Sequence, residues 1–435
     1  MSMLDKRENV RGRCLLVGLA CNSTADFENS DEITMAELAE LVKTAGGETV
    51  MTAMQNKHTP DPHTFIGEGK AAELKELIAA NEIDLTIVDN ELSPSQSRAL
   101  EEALSCRVID RSGLILDIFA DRARTAEGKL QVELAQYQYL LPRLTGMWTH
   151  LVRQTASGGS SPIGTRGPGE TQLETDRRHI RRKIQRLQED IRDLQRVRAT
   201  QRSKREKNEI PLICIVGYTN AGKSTLLNAL TGAEVHAADR LFDTLDPTTR
   251  LLHTQQMGDL LFSDTVGFIR KLPHHLIDAF RSTLEELTYA DVLLHVVDAS
   301  DEQWRLQSHV VEELISQLGA EKTPRILIFN KADRLREDQL PRESGALFCS
   351  ALKGLGLEQL VDRICQVLGE NLHTVDFVLP YAQAQLLDYL YRAANVRRAD
   401  YVETGIHVEA VVDEKVFGRL QEVLPPEQRR KHEEF

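Results

Sequence analysis

Gly217-Tyr218-Thr219-Asn220-Ala221-Gly222-Lys223-Ser224 fits G-x-x-x-x-G-K-[ST]. An apolar run, 212 to 216, precedes it, and a helical pattern starts at Thr225. Strand, loop and helix in that order is the context in which such a loop wraps phosphate. The glycines let backbone N–H groups turn inward around phosphate oxygens, and the helix N-terminus adds a favourable partial charge. Lys223 is expected to reach the β- and γ-phosphates, and the Ser224 hydroxyl to ligate Mg²⁺. This stretch predicts an α/β nucleotide-binding domain of the P-loop kind.

Four further elements follow in order, and three of them end an apolar run. Asp264-Thr265-Val266-Gly267 ends the run 259 to 263. A carboxylate there can hold Mg²⁺ through water, and the Gly267 N–H can sense the γ-phosphate. Asn330-Lys331-Ala332-Asp333 ends the run 325 to 329. Asp333 can accept two N–H bonds from the guanine edge, a pair that adenine does not offer. An unpaired carboxylate is costly, so this residue selects GTP over ATP. Ser350-Ala351-Leu352 ends the run 347 to 349, and the Ala351 N–H is expected to touch guanine O6. Between the first two motifs lies Phe242-Asp243-Thr244-Leu245-Asp246-Pro247-Thr248-Thr249. A threonine here adds a second Mg²⁺ ligand on a mobile loop. Thr244, Thr248 and Thr249 compete for that role, and spacing does not decide between them. The five elements predict a GTP site with Mg²⁺, in which Lys223 and Gly267 act on the phosphates.

One expected part is missing. Position 268 is Phe, where many GTPases place a Gln to orient the attacking water. No arginine finger is identifiable, so the free protein is expected to hydrolyse slowly or to need a partner. The carboxamide of Asn220 is a candidate ligand for K⁺ near the phosphates.

The chain has 435 residues. Four regions are expected. Residues 11 to 125 alternate short apolar runs with helical patterns, as an α/β domain on a parallel sheet does. Residues 126 to 208 read as a long helical hairpin with a glycine-rich tip at 156 to 169, Pro142 marking a kink or break. Residues 210 to 371 form the nucleotide domain, and 374 to 435 a small α+β domain. In the hairpin, Ile180, Ile184, Leu187, Ile191, Leu194 and Val197 recur at steps of three and four, a narrow amphipathic seam.

The net charge is −13, yet residues 143 to 207 carry an excess of nine positive charges. Arg177, Arg178, Arg181, Arg182, Lys183 and Arg186 cluster on one stretch. With Arg153 and Arg166 they are the candidate RNA contacts, whose affinity would fall steeply with salt. Trp148 and His150 flank the tip as candidate stacking groups.

The composition, 41 % hydrophobic and 27 % charged, excludes fibrous and disordered classes. Six cysteines without a C-x-x-C pair read as free thiols. The polar stretch Met1 to Arg13 has no apolar core of a secretory signal, and no run approaches the roughly 18 apolar residues of a membrane span. A cytoplasmic protein is expected. Gly67-Glu68-Gly69-Lys70-Ala71-Ala72 resembles the G-x-G-x-x-A nucleotide fingerprint ahead of a helix, which leaves an ATP site in the first domain open. Without a good strand before it or a ribose acid after it, the stretch reads rather as a strand-to-helix turn. His58, His63, His274 and His275 lack a metal set.

Several stretches together resemble the HflX family of translational GTPases. They are Gly217 to Ser224, Asp264-Thr265-Val266-Gly267-Phe268-Ile269, Arg166 to Glu174, Arg107 to Phe119, and Glu127 to Gln136. The likeness covers roughly 12 to 370. It implies a P-loop GTPase domain of the TRAFAC type, and an N-terminal domain and hairpin that bind the large ribosomal subunit. It further implies splitting of stalled 70S ribosomes under heat or antibiotic stress, and release on hydrolysis to GDP. The family pattern holds Mg²⁺ at the positions of Ser224 and Thr244 and carries an apolar residue at 268. A monomer is expected. The alternatives are a GTP-gated RNA-binding or large-subunit assembly factor without splitting activity, and a dimerisation-activated, K⁺-dependent GTPase.

Overall fold

The computed structural model describes residues 12–21, 30–155, 168–207, 210–233, 240–245, 247–254, 257–273, 276–277, 284–370, 372–420 and 423–425. Arg166 with most of the glycine-rich tip, Asp246, His274 and His275 lie outside the described residues. So do the side chains of Trp148, His150 and Arg153.

The first sheet holds β1 (Arg13–Cys21), β2 (Glu48–Lys57), β3 (Leu85–Val88) and β4 (Arg107–Asp110), all parallel, in the order β2-β1-β3-β4. Helices α1 (Glu32–Thr44), α2 (Glu68–Ala80) and α3 (Pro94–Leu104) connect the strands. Strands covered on both faces read as continuous apolar runs, and Leu85 to Val88 is buried at every residue. The pleat sends Leu16 and Ile87 to Leu38 and Leu41 of α1, and Leu15, Val17 and Val88 to Leu74 of α2 and Leu100 of α3. Asp31 and Ser93 start α1 and α3 with reciprocal capping boxes. Gly67 opens α2 as its N-cap, with its N–H donating to Gln55 Oε1 at 2.9 Å.

Helix α4 (Arg111–Arg122) is buried over most of its length, Arg111 included. It leads into α5 (Ala126–Thr155), which returns as α6 (Pro168–Lys207). Leu130, Leu134 and Tyr137 of α5 pack on Ile184, Leu187 and Ile191 of α6. The expected seam is therefore real over its first part, while Val197 is 55 % exposed.

Of the kink or break expected at Pro142, the break does not occur: α5 runs through it. Bonds on both sides of the proline hold the helix. Tyr139 donates to Asp110 Oδ1 at 2.8 Å. Arg143 donates to Asp110 Oδ2 at 2.9 Å, to the Leu92 carbonyl at 2.8 Å and to the Tyr139 carbonyl at 3.1 Å. Asp110 is buried and also caps α4 through Gly113 N–H. Asp110→Asn, which removes the charge from this hub, is expected to cost about 2 kcal/mol, read as a lower urea midpoint.

The second sheet has six strands in the order β10-β9-β8-β5-β7-β6. They are β5 (Leu212–Gly217), β6 (Thr248–Thr254), β7 (Gly258–Asp264), β8 (Val292–Asp298), β9 (Arg325–Asn330) and β10 (Leu347–Phe348). All pairings are parallel except β6 with β7. Helices α7 (Lys223–Thr231), α8 (Trp304–Gln317) and α9 (Leu357–Glu370) cover it. A third, antiparallel sheet, β11 (Leu372–Leu379), β13 (Gly405–Asp413) and β12 (Asn395–Val402), packs with α10 (Gln385–Ala393) and α11 (Glu414–Leu420) around Phe377, Leu390, Val408 and Leu420.

All six cysteines are free, five of them buried. Burial pushes Cys14 up to about 11 and Cys349 up to about 12, which leaves both thiols protonated at neutral pH. Among the described residues no helix is long and apolar enough to cross a membrane.

Candidate functional site

The loop after β5 bounds an open cleft lined by Thr219, Asn220, Gly222, Lys223, Ser224 and Thr225. Arg240, Phe242, Asp243, Thr244 and Gly267 complete its lining. Gly222 has φ +92°, and a Cβ there would stand 2.3 Å from Asn330 Nδ2, so only glycine fits. A Cβ at Gly267 would stand 2.9 Å from Lys223 Nζ, so the amine and this backbone share one corner of the cleft. Lys223 is buried and donates to the Tyr218 carbonyl at 2.8 Å. Burial pushes its amine down to about 8, a cost that a phosphate would relieve.

At the far end, Ser224 Oγ donates to Asp264 Oδ2 at 2.5 Å and lies 2.7 Å from the Thr244 hydroxyl. Burial raises the Asp264 carboxyl, opposed by Lys223 and Ser224. Its other oxygen, Oδ1, is buried with no hydrogen-bond partner among the described residues. Two hydroxyls and a half-satisfied carboxylate make an all-oxygen set that suits a hard divalent cation. No cluster of three His, Cys, Asp or Glu with metal-binding potential occurs among the described residues. Of the three competing threonines, Thr244 sits at this corner, while Thr248 and Thr249 begin β6 and pair with Asp264 and Ser263.

Phe268 is buried and forms a parallel bridge with Tyr218, with Thr219 N–H donating to its carbonyl at 2.8 Å. Its ring belongs to the core. Tyr218, Leu245 and Val266 also send their side chains into that core. Arg240 is a cleft residue that the sequence reading did not single out; its only signal was a cation two residues ahead of Phe242.

Asn330 ties the base-side loops together. Its Nδ2 donates to the Ala221 carbonyl at 2.9 Å, and its Oδ1 accepts the Ala351 N–H at 3.0 Å. The Ala351 N–H, expected to meet guanine O6, is thus placed beside the Asn330 carboxamide. Lys331, with φ +59°, donates to the Asn220 carbonyl at 2.8 Å and pairs with Asp298. Asn220 itself has φ +62° and an exposed side chain. Asp333 lies 3.2 Å from Lys353 Nζ; the Ser350 hydroxyl first, then Lys353, hold its carboxyl below the usual range. Leu352 is exposed beside them. Ala332 and Asp333 sit in one short 3₁₀ turn after β9.

A network without any sequence signature joins this site to the first sheet. Tyr218 donates to Glu37 and accepts the Arg270 N–H at 2.8 Å. Arg111 donates to Glu37, to Asp89 at 2.8 Å and to the Arg270 carbonyl at 3.0 Å. Lys271 Nζ lies 2.6 Å from Asp89. On α6, Arg178, Arg181, Arg182 and Arg186 are exposed and Arg177 is half-buried, while Lys183 pairs with Glu133 of α5 at 3.2 Å.

Three family models match the chain in succession. They are described as GTP-binding GTPase N-terminal over residues 32–120, GTP-binding GTPase Middle Region over 122–205, and 50S ribosome-binding GTPase over 212–331. A "GTPase HflX" of Caldanaerobacter subterraneus is 47 % identical over 395 residues, 91 % of each chain. One of Lacrimispora saccharolytica is 43 % identical, covering 97 % of this chain and 98 % of its own. One of Escherichia coli is 43 % identical, covering 87 % and 89 %. The phosphate loop and its companions therefore stand in a GTP-hydrolysing enzyme.

Proposed function

This chain belongs to the HflX family of GTPases, and from that premise we propose that it works on the ribosome. With GTP and Mg²⁺ bound it docks on the large subunit and separates stalled 70S particles, as in rescue under heat or antibiotic stress. Hydrolysis to GDP then releases it. The observation that carries this reading is the solvent face of α6. Arg178, Arg181, Arg182 and Arg186 are exposed there, opposite a seam buried on α5, in a chain whose net charge is −13. A local cationic face on an acidic protein suits a phosphate backbone, with electrostatic repulsion elsewhere limiting indiscriminate binding.

In the GTP site we assign Ser224 and Thr244 as direct Mg²⁺ ligands and Asp264 as a ligand through water. Lys223 and the Gly267 N–H meet the γ-phosphate, and Asp333 reads the guanine edge. Mg²⁺ held there would offset the negative charge that builds on the leaving phosphate oxygens as the terminal P–O bond breaks. The buried Phe268 leaves the attacking water without a side chain from its position, so contact with the ribosome completes the site. Asn220 is the candidate K⁺ ligand; equal turnover in K⁺ and Na⁺ removes that role.

The test is GTP turnover of the purified chain, alone and with large subunits, at two salt concentrations, with sedimentation of 70S particles alongside. Expected are strong stimulation that fades with salt, and 70S separation with a non-hydrolysable analogue but not with GDP. Turnover indifferent to subunits overturns the ribosome reading. Stimulation without separation favours the assembly-factor alternative.

A further inference from the structure

The threonine assigned above to Mg²⁺ is held in place by the N-terminal half of the chain. Phe242 is 2 % exposed and has φ +54°, a conformation that a non-glycine residue keeps only when its surroundings hold it. What holds it is Phe119 of α4: the rings meet edge to face, centroids 4.7 Å apart and planes at 85°. The next residue, Asp243, faces Arg122 of the same helix, Oδ1 to NH1 at 3.8 Å. Thr244 follows, its hydroxyl at Ser224. Leu245, the residue after it, is buried in one continuous core with Phe119, Ala123 and Val132. Thr244, which lines the cleft, thus follows two residues that meet α4 and precedes one buried in the same core.

A loop of this kind is commonly ordered by Mg²⁺ and the γ-phosphate themselves. Here the side chains of α4 make contacts that can supply part of that ordering. We propose that Phe119, assisted by Arg122, is a positioning residue for the metal-ligating threonine. The N-terminal unit presets Thr244 for the triphosphate state. This rests on Thr244 being a Mg²⁺ ligand. The consequence is thermodynamic: the apparent affinity of a ligand scales with the fraction of protein already in the competent conformation. GDP, without a γ-phosphate, draws on that fraction far less than GTP does.

The test uses the full chain with Phe119→Ala, Phe119→Leu, Arg122→Glu, Thr244→Ala and the double variant Phe119→Ala/Thr244→Ala. Binding of a fluorescent non-hydrolysable GTP analogue and of GDP is titrated at a series of Mg²⁺ concentrations. Phe119→Ala is expected to weaken the Mg²⁺-dependent binding of the analogue by about tenfold and to leave GDP within about twofold. Phe119→Leu, which keeps the apolar volume, should recover most of the loss, and Arg122→Glu should give a smaller loss of the same kind. On the Thr244→Ala background, Phe119→Ala should change the analogue's binding by less than about twofold. An equal loss for both nucleotides marks general damage and overturns the proposal. So does an undiminished effect on the Thr244→Ala background, or tighter analogue binding in Phe119→Ala. If Thr244→Ala leaves the Mg²⁺ dependence intact, the ligand assignment falls and the proposal falls with it. If Thr244→Ala acts and Phe119→Ala does not, only the proposal falls.

Discussion

Asp333→Asn is expected to lower GTP affinity by on the order of a thousandfold and to turn the preference of the site toward xanthosine triphosphate. The carboxylate of Asp333 is held below the usual range by the Ser350 hydroxyl and by Lys353, so it stays ionised throughout the neutral range. In that form it offers only acceptors. Guanine presents two donors, N1–H and the 2-amino group, that such a carboxylate can take together, in the charge-assisted class that runs about twice as strong as neutral bonds. Asparagine keeps one acceptor and replaces the other with an amide donor, which faces the guanine amino group donor to donor. Xanthine carries a carbonyl at that place and accepts the amide. The two nucleotides should therefore exchange rank rather than fail together, which separates base reading from loss of fold. Parallel binding titrations with both nucleotides check it. An unchanged GTP-to-XTP ratio would remove Asp333 from the base site.

This part of the molecule was legible because phosphate and base chemistry constrain short, contiguous strings. The loop 217 to 224 and the segments at 264, 330 and 350 stand at the ends of apolar runs, and those runs are β5, β7, β9 and β10. The strand β6 was not legible. Thr248 to Thr254 has no apolar run, because an edge strand buries little, and its two threonines were competitors for the metal. That no break occurs at Pro142 was not legible because a proline rule is local, whereas the bonds that hold α5 come from Asp110 and Leu92, 32 and 50 residues away in sequence. The bond from the Ala351 N–H to Asn330 at the end of β9 was equally hidden, because its partner is distant in sequence. Least legible was the junction between the two halves. Glu37, Asp89, Arg111 and Lys271 look like ordinary surface charges in the sequence. Burial and sign complementarity appear only once the sheets are side by side.

That junction carries the largest stability effect: Asp89→Ala is expected to cost about 3–5 kcal/mol, since it leaves buried cations without their shared anion. Asp89 follows β3 directly, and Ser30, which donates to it at 2.8 Å, lies beyond the end of β1. Strand order reverses between β1 and β3, and the crevice at such a point is where open α/β sheets take ligands. Here the crevice takes a side chain. Lys271, three residues past Phe268, enters with φ +52° and sets its ammonium on Asp89. Its left-handed backbone is disfavoured by about 1–3 kcal/mol. The pair must outweigh that strain together with the desolvation of both charges. Arg111 makes this feasible by contributing a second cation to the same carboxylate and a donor to the Arg270 carbonyl. Burial alone would raise the Asp89 carboxyl, but Arg111 and Lys271 outweigh it and hold the group below its ordinary value. Its folded value is therefore lower than its unfolded one. The stabilisation is fully present above the ordinary carboxylate range and fades as pH falls below it. Urea midpoints of the parent and Asp89→Ala should differ by a constant amount from pH 7 to about pH 5 and converge only at lower pH. Lys271→Met should cost less than Asp89→Ala, because Asp89 then keeps Arg111. The reverse ranking would mean that Lys271, not the aspartate, is the centre of the junction, and a cost below about 1 kcal/mol for Asp89→Ala would place the pair in solvent.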